Sequence, residues 1–227
     1  MTKERKLQIP DLHRQAREGA PIAMITCYDY STAHLVAEAG LDMVLVGDSL
    51  GMTLLGFRST LPVTMDDMLR HTAAVRRGAP DQFLVGDLPY MSYQPSDELA
   101  VTNAGRLMAA GADAVKLEGG RGVIPRVEAM VRAGIPVMGH IGLTPQSASS
   151  LGGFRLQGKT AGAAARLLED AALLEQAGIF SLLVELVPDR VCRLITENAR
   201  VPIIGLGSGP EAHGQLLIFH DLFGLYP

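Results

Sequence analysis

Residues 83–118 read FLVGDLPYMSYQPSDELAVTNAGRLMAAGADAVKLE and hold one full repeat of the chain's dominant pattern. The apolar run Phe83–Gly86 leads into a Pro-containing loop. Ser96 is an N-cap residue type, and behind it Leu99, Asn103, Leu107 and Ala110 recur at about the 3.6-residue period of a helix. Ala110-Gly111 then closes the helix, because glycine just past a helix end enters the left-handed region without a Cβ penalty. A second apolar run, Ala114–Leu117, follows at once. Strand, helix and strand in this order make a βαβ unit, whose strands lie parallel.

Working outward, the same unit recurs along the chain. The apolar runs are Ile22–Cys27, Met43–Val46, Phe83–Gly86, Ala114–Leu117, Val137–Met138, Ser181–Val184, Ile203–Ile204 and Leu216–Phe219. Each is short and continuous rather than alternating, as expected of parallel strands buried on both faces. Ser31, Thr64 and Thr160 are further candidate helix caps, and Ala39-Gly40, Ala133-Gly134 and Ala177-Gly178 repeat the closing pair. No linker or composition shift divides residues 1–227, so a single domain is expected. Eight runs favour a closed (β/α)8 TIM barrel over a doubly wound sheet. The 227 residues are slightly fewer than the roughly 250 of an ordinary barrel of this kind.

Composition narrows the function. With 20 basic and 24 acidic residues, a formal charge of −4 and no basic block, nucleic acid is not an expected partner. Cys27 and Cys192 are too few and too far apart for a disulfide framework or a metal-site spacing. The segment Met1 to Leu12 is polar and lacks a signal-peptide core, and no long apolar run marks a membrane span. The cytoplasm is the expected compartment.

In a β/α barrel the chemistry sits where the strands end. The runs here end at or near Asp29, Asp48, Asp87, Glu118, His140, Glu185 and the stretch Gly205 to Gly209. Asp48, Asp87 and Glu118, from successive strands, would converge at one mouth, where like charges are costly unless a cation or proton intervenes. A hard divalent cation such as Mg²⁺ needs only one or two carboxylates plus water and substrate. The competing reading makes these acids ordinary helix caps. Lys116 shares a strand face with Glu118 and calls for a carboxylate or an anionic substrate as partner, or forms a structural ion pair. Glu185 stands across the barrel, placed either as a general base or as a solvated strand-end acid. His140 reads as a satisfied structural histidine.

Two glycine-rich stretches invite a nucleotide-binding reading. Gly153 to Thr160 fits the P-loop pattern, but a P-loop leaves its strand directly, whereas here a Pro/Ser/Gly-rich stretch, Thr144 to Gly152, intervenes. The 144–160 segment reads instead as a lid over the mouth, with Thr160 capping the next helix. Gly205 to Gly209 lacks the G-x-G-x-x-G order and is read as a backbone site for a carboxylate or phosphate.

Longer motifs are more specific. Val46-Gly47-Asp48-Ser49-Leu50-Gly51-Met52, Thr60-Leu61-Pro62-Val63-Thr64, the run His71 to Ala79, Asp87-Leu88-Pro89, Val115-Lys116-Leu117-Glu118-Gly119-Gly120 and Gly139 to Gln146 together resemble the ketopantoate hydroxymethyltransferase family. The resemblance extends from about Ile22 to Gly224. It implies a barrel of the phosphoenolpyruvate/pyruvate superfamily type. It also implies transfer of a hydroxymethyl group from 5,10-methylenetetrahydrofolate to the oxoacid 3-methyl-2-oxobutanoate, giving 2-dehydropantoate on the way to pantothenate and coenzyme A. The matching positions are Asp48, Asp87 and Glu118 for Mg²⁺, with Glu118 acting through water, then Asp48, Ser49, Asp87 and Lys116 for the oxoacid, and Glu185 as proton acceptor. A homodecamer, a pentamer of dimers, is also implied. His213 departs from the family's usual acidic residue. The family continues past Pro227 through a Gly-rich segment and a last helix, so that helix is expected to be missing, leaving Leu222, Phe223, Leu225 and Tyr226 exposed or covered by a neighbouring subunit. A carbon–carbon lyase of the same superfamily is the alternative, but such lyases carry a cysteine in the lid and residues 144–160 have none.

Overall fold

The structure is a computed structural model that describes residues 5–226; residues 1–4 of the polar N-terminal segment, and Pro227, lie outside the described residues. Eight parallel strands close into a barrel in sequence order. They are β1 (Ile22–Thr26), β2 (Met43–Val46), β3 (Phe83–Asp87), β4 (Ala114–Glu118), β5 (Val137–Gly142), β6 (Ser181–Glu185), β7 (Ile203–Leu206) and β8 (Gly214–Leu217). The helices are α1 (Ile9–Glu18), α2 (Tyr30–Glu38), α3 (Leu50–Thr53), α4 (Met65–Gly78), α5 (Asp97–Ala109), α6 (Ile124–Arg132), α7 (Ala148–Leu151), α8 (Ala161–Gln176), α9 (Asp189–Asn198) and α10 (Phe219–Leu222). Among the described residues no helix is long and apolar enough to cross a membrane.

Strand pleat sorts each strand's residues into two layers. Val44, Leu84, Val115, Leu117, Leu182 and Val184 face outward and pack under the helices as one core. Met43, Leu45, Phe83, Val85, Ala114, Met138 and Leu183 face inward and fill the lower half of the barrel as a second core. Two positions beyond these inward residues come Asp87 after Val85, Lys116 after Ala114, His140 after Met138 and Glu185 after Leu183. The same period therefore builds an apolar floor and a charged mouth.

Helix caps follow expectation at Thr64, Ser96 and Thr160, whose hydroxyls accept from the N–H groups of Asp67, Leu99 and Ala163. The four Ala-Gly pairs all end helices, with the glycines at positive φ. Ser31, however, is not the cap of α2. Asp29 is extended, and its carboxylate accepts from Thr32 N at 2.9 Å and Thr32 Oγ1 at 2.7 Å. A carboxylate beside the helix N-terminus satisfies more free donors than a hydroxyl one turn further in.

Two further differences come from barrel closure. The last strand is Gly214–Leu217 rather than Leu216–Phe219, and it pairs Ile22 with Gly214 and Met24 with Leu216. A Cβ at Gly214 would collide with the Ile22 carbonyl, so a glycine is what lets the last strand reach the first. Sequence reading also missed α1. It starts with Pro10 in its first turn, carries Asp11 there and ends on Gly19 in the left-handed conformation. Leu12, fully buried, plugs the barrel floor with support from Leu7, Ile9 and Ala16.

After β8 there is one turn of helix, α10. The outer face of β1 and β8 carries an open groove of about 640 Å³, with Leu217 half-exposed beside it. Leu222, Phe223 and Leu225 are exposed as expected. Tyr226 is the exception, half-buried on the wall of the cavity at the mouth.

Leu12→Ala should remove a buried plug and lower unfolding free energy by about 2–5 kcal/mol in urea titrations; a change below about 0.5 kcal/mol would show that α1 does not seal the floor.

Candidate functional site

The strand ends open into a cavity of about 470 Å³. Asp48, Ser49, Asp87, Lys116, Glu118 and Glu185, all singled out in the sequence, line it, and His140 joins them. Strand register brings several together directly: Asp87 pairs with Lys116 across β3 and β4, and Glu118 with His140 across β4 and β5.

The contacts form a chain of charge. Lys116 Nζ lies 2.8 Å from Asp87 Oδ1, 3.7 Å from Glu118 Oε1 and 3.4 Å from His140 Nδ1. His140 Nδ1 lies 3.5 Å from Glu118 Oε1, and its Nε2 lies 3.1 Å from Glu185 Oε2 without an in-line hydrogen bond. Asp48 N donates to Asp87 Oδ2 at 3.1 Å. Ser49 Oγ is 2.8 Å from the Tyr28 hydroxyl. The Glu185 side chain is 12% exposed, against 2% for that of Glu118.

Burial and neighbours perturb these groups strongly. Burial, reinforced by the charges of Asp87 and Glu118, pushes the Asp48 carboxyl well above the usual carboxylate range. Burial raises Asp87 as well, against the pull of Lys116. For Glu118 burial is outweighed by His140 and Lys116, which hold it below the ordinary value. Lys116 is buried, yet Asp87, Glu118 and Asp48 drive its pKa upward. Burial and Lys116 oppose a charge on His140, but its contacts to Glu118 and Glu185 win and raise it to about 9. His140 is therefore cationic at neutral pH and belongs to the site, contrary to its reading as a merely structural histidine. A lone histidine in an apolar run carries no sign of this; only the strand register places it between two acids.

Backbone geometry is unusual beside Glu185. Leu186 adopts φ 46°, a left-handed conformation that costs a β-branched or bulky residue roughly 1–3 kcal/mol. Its N–H donates to Leu206 O and its C=O accepts from Gln157 N, each at 2.8 Å. Gly142, at φ 94°, leaves room for the Glu185 carbonyl, which a Cβ there would strike.

Residues 144–160 are more ordered than a free lid. Pro145–Ser147 forms a 3-10 turn and α7 follows it. Gln146 is buried, while Phe154 reaches the cavity from an exposed position. Gly153 to Thr160 does not follow a strand, in keeping with the rejection of a P-loop. In the Gly205 to Gly209 stretch, Gly207 lines the cavity, but the Ser208 hydroxyl turns inward and donates to Val184 O at 2.8 Å. His213 is structural: its Nδ1 accepts from Ile203 N at 3.0 Å.

Could the mouth hold a divalent cation? Among the described residues no three His, Cys, Asp or Glu side chains form a ready ligand set. Two carboxylates do offer an oxygen each. Asp48 uses only Oδ2, leaving Oδ1 without a donor among the described residues, and Asp87 Oδ1 has the Lys116 ammonium, at 2.8 Å, as its one partner among them. Two acidic oxygens completed by water and substrate match the habits of Mg²⁺.

The sequence model of the family described as ketopantoate hydroxymethyltransferase matches residues 6–227. The chain is 55% identical to 3-methyl-2-oxobutanoate hydroxymethyltransferase of Ignicoccus hospitalis over 223 residues, covering 98% of this chain and 85% of that protein. It is 53% identical to the protein of the same name from Moorella thermoacetica over 227 residues, covering 100% and 84%. The solved structure of 2,3-dimethylmalate lyase, a PEP mutase/isocitrate lyase superfamily member, shares the fold with a TM-score of 0.71 at 15% identity, covering 95% of this chain and 82% of that one.

The raised Asp48 pKa has a stability consequence. Unfolded, this carboxyl ionises at an ordinary acidic pH; folded, it resists ionisation, so the metal-free protein loses stability as pH rises from the unfolded value toward the folded one. Asp48→Asn removes that loss. In chelator, thermal melts from pH 5 to pH 8 should show the variant melting higher than the parent at the alkaline end, with a flatter pH dependence. A variant melting lower throughout would contradict the assignment.

Proposed function

This chain belongs to the ketopantoate hydroxymethyltransferase family, a transferase of pantothenate biosynthesis, and from that premise we propose how its barrel mouth carries the reaction. The substrates of the proposal are 3-methyl-2-oxobutanoate and, as one-carbon donor, 5,10-methylenetetrahydrofolate. Mg²⁺ is the proposed metal, with Asp48 and Asp87 as ligands and Glu118 reaching it through water. When bound, it supplies Lewis-acid stabilisation of the negative charge that develops on the ketone oxygen.

The chain's own residues do the rest. Lys116 offsets the substrate's negative charge from a fixed, buried position. Ser49, steadied by Tyr28, offers a hydroxyl to the oxoacid. Glu185 removes the proton from C3, the carbon beside the ketone; the electron pair left on C3 bonds to the donor's methylene carbon, whose two C–N bonds break, one water supplying the hydroxyl oxygen while the C3 proton and the water's second proton end on the folate nitrogens to leave tetrahydrofolate. The cavity wall, including Phe154 and Tyr226, keeps water from the deprotonated substrate. A homodecamer in the cytoplasm completes the proposal, on the strength of the family resemblance.

One observation carries the assignment of the base. Glu185 is the carboxylate set apart from the Asp48, Asp87 and Lys116 cluster, across the barrel on β6, with His140 Nε2 at 3.1 Å. A proton acceptor on one wall facing a charge-stabilising cluster on the other is the arrangement that deprotonation next to a ketone requires.

Glu185→Gln should keep oxoacid binding while lowering Mg²⁺-dependent deuterium exchange at C3 of 3-methyl-2-oxobutanoate by about 10²–10⁴-fold, followed by NMR. Exchange at the parent rate would remove Glu185 from the role.

A further inference from the structure

Gln146 is 6% exposed although it sits in the segment that follows β5. All its side-chain polar atoms are engaged. Nε2 donates to Asp48 Oδ2 at 3.0 Å and to Leu88 O at 2.9 Å. Oε1 accepts from the Tyr93 hydroxyl at 2.8 Å and from Gln94 Nε2 at 3.1 Å. The backbone N–H donates to Glu118 Oε2 at 2.9 Å. The surroundings fix the amide's orientation: turned over, its oxygen would face the Leu88 carbonyl and the Asp48 carboxylate, with no donor between them.

This network has a consequence for the two carboxylates that offer oxygens to a cation. Gln146 occupies Asp48 Oδ2, and Asp48 N occupies Asp87 Oδ2. Asp48 is left with one free oxygen, Oδ1, while Asp87 Oδ1 meets the Lys116 ammonium at 2.8 Å. Mg²⁺ accepts single carboxylate oxygens in a tight octahedron that retains water. Ca²⁺ takes six to eight oxygens and readily grips a carboxylate through both of its atoms.

We propose that Gln146 is a positioning residue that sets the cation preference of the site, holding Asp48 to one-oxygen coordination and so disfavouring larger cations. The inference rests on the proposal of a divalent cation at Asp48 and Asp87. Tyr93 assists by fixing the amide, since its hydroxyl holds Oε1 and also accepts from Glu118 N at 3.2 Å. Neither residue touches the cation; both act through Asp48.

The test titrates MgCl2 and CaCl2 separately into the metal-free protein, by calorimetry, for the parent, Gln146→Ala and Tyr93→Phe. With Asp48 Oδ2 released, the Ca²⁺-to-Mg²⁺ affinity ratio should rise about 10-fold or more in Gln146→Ala, within the range seen when groups supporting a ligand are removed. Tyr93→Phe, which keeps the amide but frees it to turn, should move the ratio in the same direction by less. A structural loss alone would weaken both cations together, so an unchanged ratio overturns the inference while leaving the cation site standing. No binding of either cation to the parent would overturn the cation reading and the inference with it. If Gln146→Ala fails to fold, Tyr93→Phe decides: a raised ratio supports the inference and an unchanged one overturns it.

Discussion

Four carboxylates, from Asp48, Asp87, Glu118 and Glu185, share a small cavity with two cationic side chains, Lys116 and His140. Most of these groups are shut away from water, where unbalanced charge is expensive. The imbalance shows in the groups themselves. Asp48 and Asp87 resist ionisation, while Lys116 and His140 hold their protons more tightly than in water. A divalent cation brings two positive charges to a cluster in which Asp87 already shares Lys116 and Asp48 has no ion pair among the described residues. On this account the strain of the metal-free mouth is the reverse side of its affinity for metal and an anionic oxoacid.

The fold tolerates such a mouth because it is anchored elsewhere. Beneath the charged layer lies a floor of inward apolar residues closed by Leu12 of α1. Around it an outer apolar layer fastens the strands to the helices. The two layers also explain why neighbouring residues have such different tasks: Leu117 packs under helices, while Lys116 and Glu118, on either side of it, face the cavity. Hydrogen bonds from the loops then trim the freedom of the charged groups. Gln146 ties the β5 loop to Asp48 and Glu118, and Leu186, held left-handed by bonds to Leu206 and Gln157, fixes the chain where it leaves Glu185.

Much of this was legible in the sequence, for physical reasons. Continuous apolar runs between capped helices mark parallel strands buried on both faces, and seven appear where the runs are, the eighth starting two residues early. Strand-end acids such as Asp87 and Glu118 were legible because topology sends strand ends to one place. Apart from the cap of α2, where Asp29 bonds to nearby Thr32, the misses share a cause, in that each depends on contacts distant in sequence. Gly214 looks like a breaker until the barrel closes against Ile22. Helix α1 is short and mostly polar, with a narrow apolar stripe of Ile9, Leu12 and Ala16 whose purpose appears only when there is a floor to plug. His140 gains its charge from Glu118 and Glu185 on neighbouring strands. Gln146 closes a family motif but, uncharged and in a loop, shows no chemistry in the sequence, and its place in the network exists only once β2, β3 and β4 stand beside it.

The mouth binds a divalent cation because its buried acids outnumber the cationic side chains that face them, Asp48 having no ion pair among the described residues. The direct measurement is calorimetric titration of MgCl2 into the metal-free protein at neutral pH, repeated in buffers of different ionisation enthalpy, which reports protons released on binding. Binding should be accompanied by net proton release, because burial makes Asp48 and Asp87 harder to ionise and the cation favours their ionised forms. Binding with no proton release, or no binding at all, would contradict it.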